Sequence, residues 1–347
     1  MEFSSLDPAN GELRSSGPPR LLAGAAKRIS RDMPLLKDEP MKSLVETRAR
    51  MALPSLSGGP ECGKMDDDDL QRLLSRWNKV RLEPAFPTPE WENILERDAR
   101  LGTLEGHFLE AERDSIRRQA ALAPESADEF MKWFKALQAF GPGQGDALFP
   151  WLASMATWEQ MRWFLAQEVA GEAGFDDLVA MTQVKLPARA KLELARNYWD
   201  EMGCGQAKGM HGALLEKTVE ELAIKPARED ALWEALALSN LMVGLAFNRR
   251  YAYHSLGALG AIEMTAPSRV SLVNAGLKRL GVSASGRHYF ALHAGLDLVH
   301  SAGWNAEAIR PLVEGNPWVA RAIAEGALMR LNAGQRCFER YRRHFGI

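Results

Sequence analysis

From Glu129 onward the chain keeps one apolar rhythm. The stretch EFMKWFKALQAF puts Phe130, Trp133, Phe134 and Leu137 on one side of a helix. The same 3.6-residue period returns in later stretches as far as Phe345. No stretch alternates apolar and polar residues as a half-buried strand does. The region from about residue 126 to the end is therefore expected to be an all-α bundle. With 347 residues, 46% of them hydrophobic, there is material for a sizeable core.

Along the chain, residues 1–65 are rich in Gly, Pro, Ser and charge and are expected to form a mostly disordered, flexible tail. Residues 66–125 are expected to be an N-terminal helical extension. One helix begins at the acidic run Asp66–Asp69, and another follows Thr88 as N-cap with Pro89 in its first turn. Leu104 to Ala121 reads as a polar helix with His107 at its surface. Within the main domain, 126–347, a helix is expected over about 147–171. Another runs from Pro187 to the glycines at 203, 205 and 209, and resumes through His211. A long one spans 229–264, kinked near Asn248–Tyr253 and stopped by Pro267. Short helices are expected at 271–280 and 306–313, and a last long helix at 317–345.

Several classes of function are excluded or disfavoured. The formal net charge is −2 and basic residues are scattered among acids, so no nucleic-acid stripe exists. No uninterrupted apolar run reaches membrane-spanning length, and residues 1–14 lack a signal-peptide core. The three cysteines, Cys62, Cys204 and Cys337, have no CxxC spacing, which fits a reducing cytoplasm better than a disulfide or zinc framework.

The chemistry concentrates in YFALHAGLDLVHSAGW, residues 289–304. His293, Asp297 and His300 turn through about 40° and about −20° relative to the first, so all three share one helix face. Two imidazoles and a carboxylate converging in apolar surroundings make a nitrogen/oxygen metal site; a hydrogen-bonded core network is the alternative. Three other stretches add groups of the same kind. In NYWDEMGCGQAKGMH, Glu201 and His211 lie ten apart and would diverge by about 80° on an unbroken helix, but three glycines invite a distortion that turns both inward. Asp200 is the competing acid there. Glu263 follows mostly small and apolar residues, with Leu256 and Leu259 on its face. Glu168 and Glu172 stand one turn apart on the stripe of Met161 and Leu165. The pair Arg249 and Arg250 reads as a solvated face, with the anchoring of a substrate carboxylate as the alternative, and His254 and His288 lie off the stripes.

Taken in order, these motifs resemble the haem-oxygenase-like diiron oxidases and oxygenases, often called iron-containing redox enzymes. The resemblance covers roughly residues 130–345. It implies a haem-oxygenase-like helical bundle with two Fe2+ per chain and dioxygen as co-substrate. The implied metal ligands are Glu168 (with Glu172 in reserve), Glu201, His211, Glu263, His293, Asp297 and His300. Glu201, Glu263 and Tyr289 are the expected catalytic groups; Tyr289 and Trp304, one turn either side of the triad, read as packing, with a relay of electrons or hydrogen atoms as the alternative. Asn197, Tyr198 and Asp200 are expected to support the ligands. The implied partners are a small-molecule substrate, an external electron donor and a second copy of the chain. N-oxygenation or oxidative fragmentation of an amino-acid-like substrate is the preferred reaction. Ferritin-like bundles pair E-x2-H motifs, and no Glu here has a His three residues later. A haem-binding or cofactor-free enzyme of the same bundle, or a non-catalytic helical binding protein, is the alternative reading.

Overall fold

The computed structural model describes residues 65–225 and 228–347. The tail expected over residues 1–65 lies outside the described residues, Met65 excepted, and Cys62 lies outside them too. Among the described residues every regular element is a helix, as the apolar period requires. Helix α1 (Asp67–Leu82) is capped by Asp66, whose side chain accepts the Asp69 N–H, and three aspartates fill its first turn. Helix α2 (Trp91–Ser115) follows Glu90, so the cap expected at Thr88 is not made. The residue before each proline is biased away from helix, and Pro84, Pro87 and Pro89 keep this linker out of it. The separate polar helix expected from Leu104 is the second half of α2, and Arg117–Ala120 forms a short turn after it.

Helix α3 (Ala127–Phe140) carries the apolar stripe that the period indicated. The single helix expected over 147–171 is two: α4 (Leu148–Ser154) and α5 (Trp158–Ala170). A reciprocal cap causes the break. Gln160 N–H donates to Thr157 Oγ1 at 3.3 Å, and Thr157 N–H donates to Gln160 Oε1 at 2.8 Å. Then come α6 (Phe175–Thr182), α7 (Ala188–Glu201), α8 (His211–Glu221) and α9 (Trp233–Phe247). The kink expected near Asn248 is a full break, where the Asn248 side chain accepts the Arg250 N–H at 3.1 Å.

Helix α10 (Ala252–Arg279) runs straight through Pro267, which was expected to end it. Packing overrides the proline here. A proline frees the carbonyl four residues before it, here that of Glu263, but Met264 and Thr265 before it and Val273 and Leu277 after it are all buried in the bundle. Helix α11 (His288–Gly303) leads into a π-helical turn, Trp304–Ile309, and α12 (Arg310–Gly315); the chain ends in α13 (Trp318–Phe345). Helix α11 buries only one face, for Leu298 and Val299 are exposed, so it is less enclosed than its composition indicated. Trp304 is core: its Nε1 donates to Leu256 O at 3.1 Å.

Helix α10 lies between α13 and α11. A side chain at Gly257 would run into the Ile323 carbonyl, and one at Gly326 into that of His254, so α10 and α13 meet backbone to backbone. Leu73, Trp77 and Leu101 of α1 and α2 share an apolar core with Leu241, Leu256 and Ile323. A second core gathers Phe149, Phe164, Phe290 and Tyr341. No helix among the described residues is long and apolar enough to cross a membrane.

Candidate metal centre

Glu201 is the last residue of α7, and the chain reverses immediately after it. Gly203, Cys204 and Gly205 take φ of +61°, +52° and +83°, the left-handed region that glycine tolerates best. A Cβ at Gly203 would lie 2.6 Å from the Met210 nitrogen, so the loop closes on itself. This turn undoes the 80° divergence of a straight helix. His211 opens α8 with its Nδ1 2.7 Å from Glu201 Oε2.

The other groups arrive from α10 and α11. His293 Nδ1 donates to the Tyr289 carbonyl at 2.8 Å, which leaves the Nε2 lone pair free. Its ring stands against His211, centroids 4.6 Å apart. His300 Nε2 donates to Asp200 Oδ2 at 3.2 Å, and its Nδ1 lies 3.5 Å from Glu263 Oε2. The other Glu263 oxygen accepts from Asn197 Nδ2 at 2.6 Å. Asn197 and Asp200 thus support the cluster from α7, but through Glu263 and His300 rather than Glu201. Tyr198 packs against the apolar core.

Two sets of three donors result. One atom each from Glu201, His211 and His293 lie within 4.8 Å of one another, and so do atoms from Glu201, Glu263 and His300. Glu201 belongs to both. Asp297 is 3% exposed and faces the same space, with Glu263 and Glu201 the charges acting on it. Glu168 and Glu172 line the same cavity but belong to neither set. Arg330, Arg269 and Tyr341 act on Glu168. Glu172 accepts the N–H groups of Ala173 and Gly174 at 3.0 Å each, and feels the charge of Glu201.

Burial and mutual repulsion govern the charges. Burial, then Glu263 and Glu201, push the Asp297 carboxyl up to about 9. Burial pulls His300 down, but Glu263 and Asp200 more than reverse it and raise it to about 9. Burial lowers His293, which favours its neutral, ligating form. Burial and four surrounding carboxylates hold the Tyr289 phenol well above its ordinary value. Three buried polar atoms of this cluster, His211 Nδ1, His300 Nδ1 and Asp297 Oδ1, make no hydrogen bond. His211 Nδ1 and Glu201 Oε2 crowd together without one. Buried polar atoms seldom stay unpaired, and a cation in each donor set would give His211 and His300 a partner, so the donors fit metal ions.

A family model described as "Iron-containing redox enzyme" matches residues 162–335, half of the chain. The chain belongs to the iron-containing redox enzyme family. All of the clustered groups fall inside the matched span. Among solved structures, a CADD-like protein of unknown function from Nostoc punctiforme matches in two crystal structures. Both are 18% identical and cover 69% of this chain. One covers 97% of that protein with a TM-score of 0.45, the other 95% with 0.42. No curated protein matches.

In this iron-containing redox enzyme the cluster opens onto a cavity of about 200 Å³. Leu215, Leu238, Met242 and Ile262 give it apolar walls, and Tyr289 stands in it beside His293, ring centroids 4.2 Å apart. Arg330 and Tyr341 also line it, and sequence reasoning singled out neither. Helix α13 carries several arginines at its surface, so the period alone does not separate Arg330 from its solvated neighbours. Arg249 instead donates to the Met181 carbonyl at 2.8 Å and ends α6. His254 pairs with Glu325 at 3.0 Å, His288 is exposed, and the exposed Cys204 thiol leans on Asp200.

Proposed function

We propose that this iron-containing redox enzyme is a non-haem diiron oxidoreductase that uses dioxygen to oxidise a small molecule. The observation that carries the reading is the pair of donor sets sharing Glu201. Glu201, His211 and His293 would hold one ferrous ion, and Glu201, Glu263 and His300 the other, with Asp297 alongside. Glu168, with Glu172 in reserve, lines the same cavity and would add a seventh group.

Iron, when bound, supplies the electrons that reduce dioxygen, replenished by an external donor. The chain's own residues do the rest. Asp200 and the Tyr289 carbonyl fix the ring orientation and tautomer of His300 and His293. Asn197 steadies Glu263. The Tyr289 phenol, held protonated, offers a hydrogen atom or proton at the cavity wall. The apolar walls keep water from the reacting groups. N-oxygenation or oxidative fragmentation of an amino-acid-like molecule suits a cavity with apolar walls and charged groups around it. A haem reading fits poorly, because haem takes one axial histidine in an apolar slot, whereas six carboxylates line this cavity with His211 and His293.

The test is anaerobic reconstitution with ferrous iron. Two irons per chain, no Soret band and oxygen uptake on exposure to air are expected. A Soret band, or iron that washes out of wild type as readily as from a Glu201→Ala variant, would end the diiron reading.

A further inference from the structure

The cavity carries a second kind of chemistry away from the metal cluster. Arg330 of α13 lines it, yet makes no hydrogen bond and no ion pair within 4.0 Å among the described residues. Its Nε is buried without a partner. Arg269 of α10 stands behind it and donates to Thr265 Oγ1 at 3.1 Å, with its guanidinium over the Phe338 and Phe149 rings at 5.5 and 5.9 Å. Arg269 has no ion pair either, and the two guanidinium groups repel each other. The carboxylates nearest in effect to Arg330 are Glu168 and Glu172, neither in contact with it. The charges acting on Asp297 are instead Glu263, Glu201 and His300. The lining therefore combines the acids and imidazoles of the cluster with an unpaired cation on α13 and an apolar wall.

Buried arginine is almost always paired, and a planar guanidinium facing a cavity matches a carboxylate in a two-point hydrogen bond. We propose that Arg330 is the residue that receives the carboxylate of the substrate and so decides which end of the molecule reaches the metal cluster. This rests on the cavity being the substrate chamber of the enzyme proposed above. Arg330 is then a binding residue that sets the register of the chain against the cluster, and Leu238, Met242 and Ile262 accept its methylenes.

The experiment uses full-length protein stripped of metal, so that a carboxylate cannot gain affinity from iron. Straight-chain carboxylates from butanoate to decanoate, and the alcohols of equal length, are titrated by calorimetry. At least one carboxylate should bind, and its alcohol should bind about 30-fold or more weakly, the range for losing a buried charge pair. In an Arg330→Gln variant that preference should vanish while ferrous iron still loads to the wild-type level. An Arg330→Lys variant, which keeps the charge but not the two-point geometry, should retain part of it. Equal binding of acid and alcohol by wild type, or no binding by any acid, overturns the proposal without any variant. So does an Arg330→Gln protein that melts lower yet keeps its acid preference, since Arg330 is then structural. Iron stoichiometry is read separately, so failure of the diiron reading shows as wild type that takes up no iron, whatever the acids do.

Discussion

At the scale of single residues, second partners decide what each ligand does. His300 is turned by Asp200 at 3.2 Å, on the side of the ring away from Glu263. Losing such a partner typically costs 10–100-fold in metal affinity. An Asp200→Ala variant should therefore keep its helical circular dichroism and bind ferrous iron about 10–100-fold more weakly in an anaerobic titration. Protonation gives a second prediction. Asp297 titrates near about 9 in the folded, metal-free protein, against about 3.9 when unfolded. The folded state therefore holds a proton that the unfolded state releases, and stability falls from about pH 4 to about pH 9. His300, raised to about 9, contributes stability that is complete below its unfolded value near 6.5 and lost as pH rises through about 9. Both act in one direction, so metal-free protein should melt several degrees lower at pH 9 than at pH 6.5. Asp297→Asn should flatten that slope. With iron the trend should oppose it, because the metal takes up deprotonated ligands.

At the scale of elements, glycines set the geometry of the site. The reversal between α7 and α8 depends on Gly203, whose φ is +61° and whose Cβ position is already filled by the chain at 209–210. Gly203→Ala should open this loop, move His211 off Glu201 and lower iron content well below wild type, with little change in helix content by circular dichroism. Where α10 crosses α13, a methyl group on Gly326 meets the His254 carbonyl. Forcing extra volume into such a crossing costs about 1–3 kcal/mol, and Gly326→Ala should show it as a lower urea midpoint. The two substitutions separate positioning from packing: the first should affect iron more than stability, the second the reverse.

For the whole molecule, the bundle encloses carboxylates and histidines that repel or crowd one another until a cation joins them. Iron should therefore raise the melting temperature of wild type under anaerobic conditions, by an amount that grows with free iron. Glu263→Ala should lose that rise. In chelator above about pH 9, where His300 no longer gains from Glu263, it should melt at or slightly above wild type, since one buried carboxyl fewer remains to repel Glu201 and Asp297. A hydrogen-bond network serving only structure requires the opposite, a loss of about 1–3 kcal/mol when the partner of Asn197 disappears.

The helical class was legible from the sequence because a 3.6-residue period is a local property. So was the shared face of His293, Asp297 and His300, which a few turns of helix fix without any partner. The ordered set of acids and histidines also pointed to the family. Local signals failed where long-range contacts outweighed them. Pro267 stays within α10 because the helix is buried on both sides of it, at Met264 and Thr265 before and at Val273 and Leu277 after. The α4–α5 break went unread because Thr157 and Gln160 cap each other inside an apolar run. Only the tertiary structure brought Glu201 to His211, since left-handed turns and a loop folded on itself have no period. Only it, too, turned Arg330 into the cavity, because which face of a long helix meets a void depends on the helices packed around it.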